Sequence, residues 1–183
     1  MIGWVVAGVV VAAIVIYLAV SGGFVGGPSS QIPPGVQTPQ GTVVAPGTSP
    51  IATSGQVVSK TTSLPVKLNV TPGTPDAPQQ SDVVSKGSLP SQAIKLSVTG
   101  QGFSPSSFTV SVGQPVVLSV TSGDALTHVF MFDDPSLSAV AIGVGPGETR
   151  AISFNAPKAG TYKFHCDVPG HKDRGETGMM VVE

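Results

Sequence analysis

Beyond Ala93 the chain carries only short runs of alternating apolar and polar residues, each closed by turn residues, and that pattern admits strands and no helix. The runs lie at 94–99, 108–112, 116–121, 126–132, 139–142, 149–154, 161–166 and 179–182. Gly113-Gln114-Pro115, Ser122-Gly123-Asp124, Gly145-Pro146-Gly147 and Pro157-Lys158-Ala159-Gly160 punctuate them. The expected fold is therefore all-β, an antiparallel sandwich over 93–183. Alternation assigns Phe108, Val110, Val116, Leu118, Phe130, Phe132, Ile152, Phe154, Tyr162 and Phe164 to its core.

The N-terminal half reads differently. Residues 2–20 are uncharged and almost wholly apolar. At 1.5 Å per residue they give about 28 Å of helix against roughly 30 Å of hydrocarbon. Trp4 and Tyr17 lie near the two ends of the stretch, where aromatic rings sit at membrane interfaces. A cleaved signal peptide, with Ala19-Val20-Ser21 as its small-residue site, is the competing reading; no Lys or Arg precedes the run, which speaks against it. We expect a transmembrane anchor over 1–27, with the rest of the chain outside the cytoplasmic membrane. Residues 28–92, rich in Pro, Gly, Ser and Thr, read as a disordered linker, because such a composition buries too little apolar surface to offset its ordering entropy. Within it Val57-Val58-Ser59-Lys60, Ser63-Leu64-Pro65 and Val66-Lys67-Leu68-Asn69-Val70-Thr71 echo Val83-Val84-Ser85-Lys86, Ser88-Leu89-Pro90 and Ile94-Lys95-Leu96-Ser97-Val98-Thr99. The first copy looks like a duplicated leading strand. Asn69-Val70-Thr71 is also a glycosylation sequon.

Only 10% of residues are charged, the net charge is −1 and the first lysine is Lys60, so nothing supplies the basic surface that nucleic acid requires. The single cysteine excludes a disulfide within the chain. Cys166 is thus a free thiol, a thiol shared between chains, or a metal ligand. Its surroundings favour the last. The segment Thr161-Tyr162-Lys163-Phe164-His165-Cys166-Asp167-Val168-Pro169-Gly170-His171 ends a strand in a thiol and returns, after a Pro-Gly turn, to an imidazole. A second imidazole, His128, belongs to another strand end, and two strand ends at one pole of a sandwich can converge. A thiolate and two imidazoles suit a single copper ion: sulfur favours Cu(I) and imidazole supports Cu(II). His165, next to Cys166, is turned by strand alternation to the opposite face and is not expected to bind this ion.

The order Phe103-Ser104-Pro105, Val112-Gly113-Gln114-Pro115-Val116, His128-Val129-Phe130, Pro146-Gly147-Glu148, Gly160-Thr161-Tyr162-Lys163-Phe164-His165-Cys166 and Pro169-Gly170-His171 resembles the blue copper proteins of the cupredoxin family. It looks most like their plastocyanin/rusticyanin-type single-domain branch. The resemblance covers roughly 94–183 and implies a two-sheet Greek-key sandwich, a copper site on His128, Cys166 and His171, and one-electron transfer rather than enzymatic turnover. In that family a methionine commonly follows the second histidine as a weak axial ligand. Here Gly175 and Gly178 keep the frame, but the position holds Glu176. The axial ligand is then Glu176, Met180 as a substitute, or no side chain. Relatives also often carry an asparagine where this chain has Val129, so support for the ligand loops must come from elsewhere.

The expected function is a membrane-tethered electron carrier between redox proteins such as a terminal oxidase or a cytochrome. The alternatives are a copper-binding module of a respiratory oxidase assembly, or a small copper enzyme whose site is opened by its carboxylate. Multicopper catalysis would need more than the three histidines present, and a binuclear centre a second cysteine.

Overall fold

The computed structural model describes residues 44–183. The expected anchor over 1–27 and the first part of the expected linker lie outside the described residues. No helix among the described residues is long and apolar enough to cross a membrane.

The described residues contain nine strands: β1 Ile94–Thr99, β2 Gly102–Ser104, β3 Ser107–Val110, β4 Pro115–Ser122, β5 His128–Phe132, β6 Ala141–Val144, β7 Thr149–Asn155, β8 Gly160–Cys166 and β9 Thr177–Val182. Eight overlap the alternating runs, β6 by only two residues of the expected 139–142. The ninth, β2, is three residues long, too short for any periodicity to register. The strands form two sheets, ordered β2-β1-β4-β7 and β3-β9-β8-β5-β6. Most neighbours are antiparallel, but β1 runs parallel to β4 and β3 parallel to β9. Each parallel pair joins strands distant in the chain, which a two-sheet sandwich with crossing connections produces.

Alternation explains the core. On β5, His128, Phe130 and Phe132 are buried between half-buried neighbours, and on β8 Tyr162, Phe164 and Cys166 are buried between exposed Lys163 and half-buried His165. All of these but His128 join Leu118, Ile152, Phe154 and Met180 in one apolar cluster between the sheets, with half-buried Phe108 packed against it. Phe164 anchors it, in contact with the rings of Phe103, Phe108, Phe130 and Phe132.

Strand β4 breaks the two-face rule: Val116 through Val120 are all buried. Its even-numbered residues face the core, while Val117 belongs to a second cluster with Ala45, Ile51, Val57, Leu89 and Ala151. Here the linker expectation fails. From residue 44 the supposed linker is a layer folded over the outside of the β2-β1-β4-β7 sheet. Its segment at Gln80 bridges to Ile152; Ser81 N–H donates to Ala151 O at 2.7 Å and Val84 N–H to Thr149 O at 2.9 Å. These bonds cover the free edge of β7. Ala139 N–H donates to Leu68 O at 2.8 Å, and Gly143 N–H donates to Gln80 Oε1 at 3.1 Å, covering the edge of β6. The composition could not make a core of its own. It needs none, because the outer face of β4 and β7 supplies the apolar partner. In the duplicated pair, only the second copy becomes a strand, β1; the first keeps Val66, Leu68 and Val70 half-buried.

Candidate metal centre

The end of β8, the start of β5 and the start of β9 meet at one pole, and backbone hydrogen bonds fix their levels. Cys166 N–H donates to Glu176 O at 2.9 Å, and Asp167 N–H to Val129 O at 2.8 Å. Val129 N–H points at Cys166 Sγ, 3.3 Å away. The chain then turns at Asp167–Gly170, with His171 N–H donating to Val168 O at 3.0 Å, and winds one 3-10 turn over Lys172–Arg174. Gly175 ends that turn at φ 98°, a left-handed conformation that L side chains resist, and this reversal sends Glu176 back toward Cys166. Two residues on, Gly178 has no room for a side chain: a Cβ there would lie 2.3 Å from Phe164 Cζ and 2.5 Å from Ser106 O.

This path brings His128, Cys166, His171 and Glu176 together, all buried, with one donor atom from each within 4.8 Å of the others. Glu176 Oε2 lies 2.8 Å from His128 Nδ1 and 2.9 Å from His171 Nδ1. Cys166 Sγ lies 3.4 Å from His171 Nδ1 and 3.8 Å from His128 Nδ1. A four-coordinate first-row ion with bonds of about 2.0–2.3 Å separates its donors by roughly 3.3–3.8 Å, so the sulfur–nitrogen spacings already suit one. The donor chemistry fits copper: one soft thiolate, two imidazoles presenting the same ring nitrogen, and one anionic oxygen.

The site's charges are set by its neighbours. Burial pushes the Cys166 thiol up, and Glu176 adds to that, against the pull of the Val129 and Val168 backbone amides. A metal must therefore displace the thiol proton. Burial also acts to raise Glu176, but Arg174 and the histidines outweigh it and hold the carboxyl below its ordinary value. Arg174 grips Oε1 at 2.9 Å, which leaves Oε2 directed at the other donors.

The structure thus brings together His128, Cys166, His171 and Glu176 as the sequence led us to expect. His165 lies on the other face, as alternation requires. Its Nδ1 is 2.6 Å from Asp133 Oδ1, without the alignment of a hydrogen bond. Met180 requires a correction as a substitute axial ligand. It is a core residue paired opposite Tyr162, whereas Glu176 is level with Cys166. Four residues of strand separate Tyr162 from Cys166, roughly 13 Å. Met179 is exposed. Sequence reasoning missed Arg174 and Asp124. Asp124, four residues before His128, sets its carboxylate 3.0 Å from His128 Nε2.

Residues 79–182 match the family model described as a cupredoxin-like domain. The chain belongs to the cupredoxin-like family. The matched region of this cupredoxin starts before residue 93, in the segment that pairs with β7, so the family domain includes part of the outer layer. The cupredoxin is 32% identical to plastocyanin of Vicia faba over 94 residues, 45% of this chain and 89% of that protein. It is 27% identical to the copper-resistant cuproprotein CopI of Rubrivivax gelatinosus over 97 residues, 44% of this chain and 59% of that protein. Among solved structures, reduced auracyanin from Roseiflexus castenholzii aligns with a TM-score of 0.46 and 24% identity, covering 51% of this chain and 98% of auracyanin.

Proposed function

We propose that this cupredoxin carries single electrons between redox proteins on the outer side of a membrane, tethered there by its N-terminal segment. It is a copper electron-transfer protein, not an enzyme. The observation that carries the reading is the convergence of one thiol, two imidazoles and one carboxylate on a single buried point. When bound there, copper supplies the one-electron Cu(II)/Cu(I) couple. His128, Cys166, His171 and Glu176 would hold it.

All four potential donors are buried, which favours a carrier over the open carboxylate-containing enzyme. The side chains of His128 and Glu176 are wholly covered, whereas that of His171 retains 9% exposure. His171 is therefore the ring through which an electron passes to a docked partner. Half-buried Val168 and exposed Pro169 and Gly170 surround it with a small, weakly polar docking surface. The apolar stretch at 2–20 supports a membrane tether, and confinement raises the effective concentration near membrane-bound partners such as a terminal oxidase or a cytochrome.

The absorption spectrum of the copper-loaded chain tests the carrier. We expect an intense visible thiolate-to-copper band that bleaches reversibly with a mild reductant; absence of that band overturns the assignment. Potentiometry tests Glu176. An anionic oxygen stabilises Cu(II) over Cu(I) more than a neutral thioether does. Glu176→Met is expected to raise the midpoint potential by roughly 120 mV, equivalent to two decades in the ratio of the Cu(II) and Cu(I) affinities at about 59 mV per decade. An unchanged potential would show that the carboxylate does not bind.

A further inference from the structure

His128 is wholly buried and has both ring nitrogens engaged, with Nδ1 toward the donor cluster and Nε2 toward Asp124 Oδ1 at 3.0 Å. The carboxylate is itself held. Oδ2 accepts from Gly100 N–H at 2.7 Å, and Oδ1 also accepts from Leu126 N–H at 2.9 Å. The turn that supplies Gly100 abuts the other ligand segment as well: a Cβ on Gly102 would lie 3.1 Å from Gly175 O, next to Glu176. Gly123 N–H donates to Val98 O at 2.8 Å and docks the Asp124 loop on the end of β1. Asp124 is thus fixed by two backbone amides and directed at one face of the site.

We infer that Asp124 is the positioning residue for His128, selecting the nitrogen that binds metal and strengthening its donation; this rests on His128 being a ligand. An ionised carboxylate only accepts hydrogen bonds, so Asp124 holds a proton on Nε2; a metal in the donor cluster would replace any proton that Nδ1 shares with Glu176 and would meet the Nδ1 lone pair. A negative partner on the far nitrogen makes the imidazole a stronger donor, and such outer contacts typically change metal affinity by about 10–100-fold. The same carboxylate ties the His128 loop to the Gly100 turn. That is support which Val129 cannot give through its side chain.

The experiment compares full-length wild type, Asp124→Asn, Asp124→Ala and His128→Ala by competition titration with zinc(II) and copper(I). Midpoint potentials and thermal melts of the metal-free chains accompany the titrations, and nitrogen-15 NMR of the copper(I) form reads the His128 tautomer. We expect Asp124→Ala to lose 10–100-fold in affinity, to raise the potential and to lose a single protonated Nε2 signal. Asp124→Asn, nearly isosteric and still able to accept from Nε2–H, should keep the tautomer, regain part of the affinity and retain the raised potential. Affinity, potential and tautomer unchanged in both Asp124 variants, with only a lower melting temperature, would make Asp124 a turn-stabilising residue and overturn the proposal. Unchanged affinity in His128→Ala would instead remove the ligand reading on which it rests. If Asp124→Ala does not fold, the potential of Asp124→Asn decides: a raised value supports the proposal and an unchanged one overturns it.

Discussion

Cys166→Ser is expected to abolish the intense visible band of the copper-loaded protein, whereas His165→Ala leaves it nearly intact. The two residues are neighbours in sequence and opposite in environment. Cys166 is fully buried, with its sulfur 3.4 Å from His171 Nδ1 and 3.8 Å from His128 Nδ1. His165 faces away, beside Asp133 and Asp167. The band arises from the thiolate-to-copper bond, and a serine hydroxyl offers neither the soft donor nor the low-energy sulfur orbital. Zinc binding should survive in part in Cys166→Ser, since two imidazoles and a carboxylate remain, with a loss of at least about 100-fold from the missing thiolate. Spectra and zinc titrations of both variants check this. Bleaching by His165→Ala with full colour in Cys166→Ser would show that the ligand register is shifted by one residue.

A comparably large effect is expected from truncation, and it depends on where the cut falls. A chain of residues 28–183 should fold with an unchanged copper spectrum and remain in the soluble fraction. A chain of residues 93–183 should aggregate or melt far lower, although it retains every strand and all four donors. Removing the outer layer exposes Val117 and Ala151 and deletes Ile51 and Val57, which are 2% and 0% exposed. At about 1.5–3 kcal/mol for each fully buried aliphatic side chain, the loss is on the order of 5 kcal/mol. That is comparable to the whole stability of a small domain, roughly 5–15 kcal/mol. The free edges of β6 and β7 would also lose the partners that block edge-to-edge pairing. Size-exclusion chromatography and thermal melts compare the two chains; equal melting temperatures would show that the layer is energetically idle.

The strands were readable because one face of each sheet is core, so apolar residues recur at every second position. The ligand residues were readable because Cys166, His171 and Glu176 lie on one short loop segment, where spacing alone constrains reach. Two things stayed hidden. Residues 44–92 resemble a linker because they bury small side chains against another element's outer face, which leaves no periodicity of their own. The roles of Asp124 and Arg174 depend on contacts between loops; the only local signals were a carboxylate four residues before His128 and a cation two residues before Glu176. Met180 was misjudged because period-two reasoning gives a side chain's face but not its height on the strand.

The outer layer also determines where a mechanical load enters the domain. Its first hydrogen bonds to β7 are Thr48 with Ser153 and Gly55 and Val57 with Asn155, near the end of β7 that pairs with Pro115. The other end of β7, at Thr149, lies roughly 20 Å further along, beside the loop that leads to His128. Tension applied from the N-terminal side is therefore borne first by the pole remote from the ligands, and the Cys166–Glu176 loop is outside the line of force.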